Sequence, residues 1–277
     1  MRAHRAAVVT LLLSSTFAWS ADAEPGLRFN WPIGSDAIVE LTDERSVGDQ
    51  ARTIVMTMRL HVEPDGTTDR VVVRLSDAQL VSIDGASPGS TDPSHTLLAV
   101  GRVMKRLTPT MVIGADGRFQ EVRDLDRLMP EVLSAAGFPA PPPGLDAVFA
   151  DFFNDLAAED WSTWVAAWLG KQVLPGARTR LEASVVYPSE AVRLYTQGFL
   201  IDLAREAREL GDHDPVASQR FIEKARYSPL TVTLTAELEA ATMRPLFAER
   251  KRSFSAVQGR HEINGLERRT HRFTWVP

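Results

Sequence analysis

Five histidines fall after residue 23 (His61, His95, His213, His261 and His271), and no two of them stand three or four apart. No helix can therefore present a pair of imidazoles to one metal ion. Asp212-His213-Asp214 is the most ligand-like cluster, but Asp214 precedes Pro215 and reads as the cap of a following helix. His61 and His271 are expected on the polar faces of strands, as solvated imidazoles. No Gly-x-Ser-x-Gly nucleophile elbow occurs, and Ser162 and Ser184 lack a local activating context. Asp151, Asp155, Glu159 and Asp160 could supply the paired acids of a glycosidase, yet their spacing equally suits a solvated helix face. No glycine loop of the phosphate-cradling kind follows a strand. Catalytic residues, cofactors and metal sites are accordingly all read as none.

One group of side chains stands out instead. Phe149, Phe152, Phe153, Trp161, Trp164 and Trp168 lie within 20 residues, the tryptophans at i, i+3 and i+7. Each large ring removes roughly 150–250 Å² from water when buried. They serve either as the core that seats helices on a sheet or as the lining of an apolar pocket. Met56 and Met58, on the inward face of a strand, would add adaptable thioethers to such a pocket. These eight residues form the candidate apolar site.

The elements that must position them follow from periodicity. Ile54, Met56, Met58, Leu60 and Val62 alternate with Val55, Thr57, Arg59 and His61, which predicts a half-buried strand. Pro64-Asp65-Gly66 turns it into a partner over Arg70 to Leu75, continuing toward Ile83. An earlier strand is expected at Ala37 to Thr42, and a second hairpin at Met111–Gly114 and Phe119–Val122 around Ala115-Asp116-Gly117. A helix is expected between Leu97 and Leu107. Leu125 to Gly170 reads as helical, broken at the proline run from Phe138 to Gly144. Val148, Phe149, Phe152 and Phe153 form one apolar face there, and Asp160 caps the helix that carries the tryptophans. A strand over Thr179 to Tyr187 is followed by helices at Phe199–Leu210 and Pro215–Tyr227. Strands return at Val232–Leu238, Phe247–Val257 and Gly265–Trp275.

Strands joined by short turns are antiparallel, and helices gathered mid-chain collect on one side of the sheet. The fold class is therefore α+β: a curved antiparallel β-sheet with helices inserted mid-chain and packed on one, concave, face. It is read as a single domain over 24–277, mainly β over 24–123, mainly helical over 124–227 and mainly β again over 228–277.

The first 23 residues carry the marks of an export signal. Arg2, His4 and Arg5 precede an apolar run from Ala6 to Phe17, and Ala21-Asp22-Ala23 offers a cleavage site. The chain has no cysteine, so an exported form has neither disulfides nor a lipoprotein anchor. It carries a formal charge of −5 with no basic stripe, a poor match to nucleic acid. The expected location is the periplasm or the outside, soluble, with no membrane span after cleavage. This overall plan is similar in architecture to that of periplasmic lipoprotein carriers and related lipid-binding envelope proteins. Three functions remain, in this order: non-enzymatic binding of an apolar ligand or acylated partner; an envelope adaptor or assembly protein acting by protein contact at an apolar patch or an unpaired strand, at Val232–Leu238 or the C-terminal strand; and a hydrolase with an unrecognised site, which would show convergent carboxylates or histidine with shifted pKa values.

Overall fold

A computed structural model describes residues 26–66, 70–87, 109–135, 145–173, 178–189 and 224–276. Their architecture is an open, antiparallel, ten-stranded sheet with two helices. The strands are β1 (Asp36–Val47), β2 (Gln50–Pro64), β3 (Arg70–Ile83), β4 (Thr110–Gly114), β5 (Phe119–Arg123), β6 (Arg178–Tyr187), β7 (Arg226–Tyr227), β8 (Leu230–Glu239), β9 (Pro245–Gln258) and β10 (His261–Trp275). Their order across the sheet is β5-β4-β3-β2-β1-β10-β9-β8-β6, with β7 pairing β9 beyond the start of β8. The helices are α1 (Leu125–Ala135) and α2 (Leu145–Trp164), the latter followed by a 3-10 turn over Ala166–Trp168.

The alternation in β2 does what its period of two requires. Residues directly opposite each other on antiparallel strands share a face. Ala37 faces Leu60, Val39 faces Met58 and Leu41 faces Met56, so both methionines lie on the face that carries the buried side chains of β1. The same face continues through Phe273 and Trp275 of β10, which pair with Val39 and Ala37. Here it is called the α2 face, because α2 lies against β5, β8 and β9. Its apolar end holds Val39, Leu60, Val62, Val73, Met111 and Ile113, all at most 1 % exposed, together with the three tryptophans. Burying surface of this extent, at about 25 cal/mol per Å², is what holds a cysteine-free chain together.

The second hairpin turns at Gly117, which needs its missing side chain twice. Its φ is +80°, and a Cβ there would lie 2.5 Å from Cβ of Phe29. The carbonyl of the same residue accepts a 2.8 Å hydrogen bond from Nε1 of Trp161. The turn thereby anchors the end of α2.

Several expectations change. Asp160 lies inside α2, a helix continuous from Leu145 to Trp164, and caps nothing. The chain over Arg226–Tyr227, expected as the end of a helix, is extended and pairs with Val257 and Ala256 of β9. Ser228 and Pro229 separate β7 from β8 there, where proline cannot donate to the ladder. Val232–Leu238 and the C-terminal strand are not unpaired: β8 lies between β6 and β9, and β10 between β9 and β1. Among the described strands the outer ones are β5 and β6. The helices expected at 97–107 and 199–210, and the Asp212-His213-Asp214 cluster, lie outside the described residues.

Candidate functional site

The strand register writes the site out row by row on the α2 face. One row runs Ala248–His271–Leu41–Met56 across β9, β10, β1 and β2. The next runs Arg250–Arg269–Asp43–Ile54, and the one after it Arg252–Glu267–Arg45–Arg52. Phe254–Gly265–Val47–Gln50 then begins a second apolar cluster containing Leu230, Ala256 and Ile263. Two charged rows therefore cross the middle of a face that is apolar on both sides.

From above, α2 lowers Glu159 and Asp160 onto these rows. Arg252 Nη2 donates to Glu159 Oε1 at 2.5 Å, and Arg250 Nη1 lies 3.0 Å from Glu159 Oε2. Arg269 Nη2 donates to Asp160 Oδ2 at 2.9 Å and Nη1 to Asp43 Oδ2 at 3.3 Å. Glu267 stands between Arg250, Arg252 and Arg45, at 3.3, 3.5 and 3.5 Å. Nothing but mutual neutralisation makes this tolerable, since an isolated buried charge costs several kcal/mol.

The protonation states follow. Burial alone would raise the pKa of Asp160, but Arg269, His271 and Arg250 outweigh it and hold the carboxyl well below the usual carboxylate range. Glu267 follows the same logic: burial raises it, and Arg252, Arg250 and Arg45 bring it below its ordinary value. Arg252 and Arg269 are opposed by burial, yet Glu159 and Glu267 push the first above its ordinary value and Asp160 and Asp43 the second. Burial pushes the His271 imidazole down, Asp160 pulls it up, and Arg269 and Arg250 add to the depression, so the ring is neutral at pH 7. His271 is 2 % exposed, the reverse of the solvated imidazole expected from sequence. Its Nε2 lies 3.7 Å from Asp160 Oδ2, its Nδ1 has no hydrogen-bond partner, and its ring meets Trp164 edge-on at 5.1 Å. His61, by contrast, is partly exposed and bonds Asp36 Oδ1 at 2.7 Å through Nδ1.

The candidate aromatic residues divide. Trp161, Trp164 and Trp168 are at most 1 % exposed, and Trp161 and Trp164 pack ring on ring with each other, Phe29, Trp31 and Phe273. Trp168 donates from Nε1 to the Thr163 carbonyl at 2.8 Å. Met58 is part-buried against this cluster, and Met56 is buried in His271's row. Phe153 packs on Leu128, Met129 and Val132 of α1. Phe152 does not share that face: it is 56 % exposed and touches the edge of Phe153. The side chain of Phe149 lies outside the described residues.

A cavity of about 120 Å³ adjoins the charged rows, with Asp43, Arg45, Val47, Arg52 and Ile54 among its walls. Another, of about 360 Å³, lies on the opposite face, walled by Glu63, Asp65, Arg74, Arg123 and Arg127 among others. There Arg74 pairs with Glu63 and Arg123 with Asp65, so its charges are already matched.

No protein-family model matches the chain, and no curated protein matches it. Among the described residues no helix is long and apolar enough to cross a membrane, and no three acids or histidines are grouped to hold a metal ion.

The charged rows escaped sequence reading although a signal exists. Glu267, Arg269 and His271 fall in phase with Phe273 and Trp275, and Arg250 and Arg252 in phase with Ala248 and Phe254. In a strand, that parity assigns them to the apolar face.

Proposed function

We propose that this is an exported, non-catalytic binding protein of the cell envelope. It holds an amphiphile, an apolar ligand or the acyl group of a partner, on the α2 face, read here as the concave side of a curved sheet. The observation that carries this reading is the cavity at the border between the charged rows and the apolar row beyond them. Val47 and Ile54 offer it hydrocarbon and Arg45 and Arg52 offer it charge. Mixed walls of this kind suit a ligand with both an apolar and a polar part.

The charged rows themselves favour binding over catalysis. Acids and an imidazole do converge, as a hydrolase would require. A general acid, however, needs a raised pKa, and Asp160 and Glu267 are held low by arginines. Among the described residues His271 is hydrogen-bonded to no hydroxyl: its Nδ1 has no partner and its Nε2 faces Asp160 at 3.7 Å. The cluster reads as a clamp that fixes α2 to the sheet.

Native mass spectrometry of protein purified from the envelope of its own host, with solvent extraction of the same sample, tests the reading. A mature chain beginning near Glu24, carrying an extractable amphiphile, is the expected result. A mass equal to the bare chain, with nothing extracted, would shift the case to a second reading, contact with another envelope protein. That reading draws on β6, which pairs only with β8 among the described strands and exposes Val186 at 64 %.

A further inference from the structure

The charge count on the α2 face is uneven, and the imbalance falls at the cavity. Among the described residues, the charged rows and the two acids of α2 bring together five arginines (Arg45, Arg52, Arg250, Arg252 and Arg269) and four carboxylates (Asp43, Glu159, Asp160 and Glu267). Arg250, Arg252 and Arg269 each lie within 4 Å of two or three carboxylates, and Arg45 lies 3.5 Å from Glu267. Arg52 is the exception. It ends the row Arg252–Glu267–Arg45–Arg52, directly opposite Arg45, and no carboxylate of the described residues lies within ion-pair distance of it. Like charges facing each other across an antiparallel ladder repel, so this pair lowers stability unless an anion comes between them.

We propose that the cavity beside Arg45 and Arg52 is an oxyanion site, and that it receives the negatively charged head of the amphiphile. The inference rests on the binding function proposed above and adds the chemistry of the ligand's polar end. The geometry fits a head rather than a whole lipid. A volume of about 120 Å³ holds several water-sized positions at ~10–15 Å³ each, too few for an acyl chain. A phosphate or carboxylate presents two or more oxygens to the planar forks of two guanidiniums. Val47 and Ile54, in register with Gln50 and Asp43, then meet the first carbons of the chain. Asp43 is no rival for Arg52, because its carboxylate already bonds Arg269.

Calorimetric titration of the full chain with octyl phosphate, inorganic phosphate and octyl glucoside tests this, on the wild type and on Arg52→Gln, Arg52→Glu and Arg52→Lys. Circular dichroism checks that each variant keeps its fold, which the exposure of Arg52 favours. The expected result is tight binding of octyl phosphate that weakens at least tenfold in Arg52→Gln, vanishes in Arg52→Glu and largely returns in Arg52→Lys. Octyl glucoside should bind weakly and equally to all four proteins. Octyl phosphate bound equally by the wild type and Arg52→Glu overturns the inference, as does an absence of binding. Octyl glucoside bound as tightly as octyl phosphate, with no dependence on Arg52, also overturns it and leaves the amphiphile reading standing. Inorganic phosphate bound as tightly as octyl phosphate, and lost in Arg52→Glu, supports the oxyanion site while removing the amphiphile.

Discussion

Arg250 and Arg269 stand directly opposite each other on β9 and β10, two cations side by side, the first buried and the second partly so, and Asp160 of α2 reaches both, at 3.7 and 2.9 Å. The sheet itself offers Glu267 to Arg250 and Asp43 to Arg269, each at 3.3 Å, and α2 adds Asp160 to both and Glu159 to Arg250. Helix α2 is thus held to the sheet by ion pairs as well as by its tryptophans.

Removing that carboxylate should be costly. Asp160→Asn takes one counter-charge from each guanidinium while Glu159, Glu267 and Asp43 remain, so the cost should approach but not exceed the about 3–5 kcal/mol of a fully broken buried pair. Urea unfolding measures it. The double variant Asp160→Leu with Arg269→Met, which removes charge of both signs, should lose less than Asp160→Asn alone. If the two losses simply add, the pair is not coupled.

Stability should fall as pH drops, in two stages. His271 has a pKa below its ordinary 6.5 when folded, so the unfolded chain takes up that proton first. Its contribution is complete above about pH 6.5 and is lost as pH falls toward the depressed folded value. Asp160 and Glu267, lowered from 3.8 and 4.5, contribute fully above those values and lose their share as pH falls beneath them. Urea midpoints from pH 8 to pH 3 should show both stages. His271→Gln should remove the first and leave the second, and a slope unchanged by that substitution would contradict the assignment.

Asp155 works in the opposite direction. It lies four residues from both Asp151 and Glu159 on α2, and burial and these two acids raise its pKa. An exposed like-charge pair at this spacing costs about 0.2–0.5 kcal/mol. Asp155→Asn should therefore stabilise the protein by a few tenths of a kcal/mol at pH 7, an advantage that fades as pH falls through the raised folded value and is gone below the ordinary 3.8. Thermal melts at two pH values decide it.

The two tryptophans at the end of α2 should not be equivalent. Trp161 donates from Nε1 to the Gly117 carbonyl, whereas the Nε1 of Trp164 has no partner. Both changes to phenylalanine leave a cavity, but only Trp161→Phe also strands a buried carbonyl. It should cost about 1–2 kcal/mol more than Trp164→Phe. Equal losses would mean that the bond to Gly117 contributes nothing net.

Much of the sheet was legible because β-strands declare themselves by parity. The hairpin β2–β3 with its Pro64-Asp65-Gly66 turn, the hairpin β4–β5, and the inward placement of Met56 and Met58 all follow from period-two alternation and turn residues that need no distant partner. The same rule misled where hydropathy and parity disagreed. His271 is expected outward because an imidazole normally faces water, although its phase with Phe273 and Trp275 points inward.

What the chain specifies locally is thus most of the strands, the faces of those whose parity and hydropathy agree, and the aromatic stripe of α2. Which buried charges are neutralised was settled by tertiary structure alone. Arg252 meets Glu159 across 93 positions of sequence, and Arg269 meets Asp160 across 109. Only the packing of the helix on the sheet brings such groups within ion-pair distance, and only at that distance does Coulomb attraction offset the loss of water. Arg52 marks where those pairings stop among the described residues, one arginine beyond the last carboxylate.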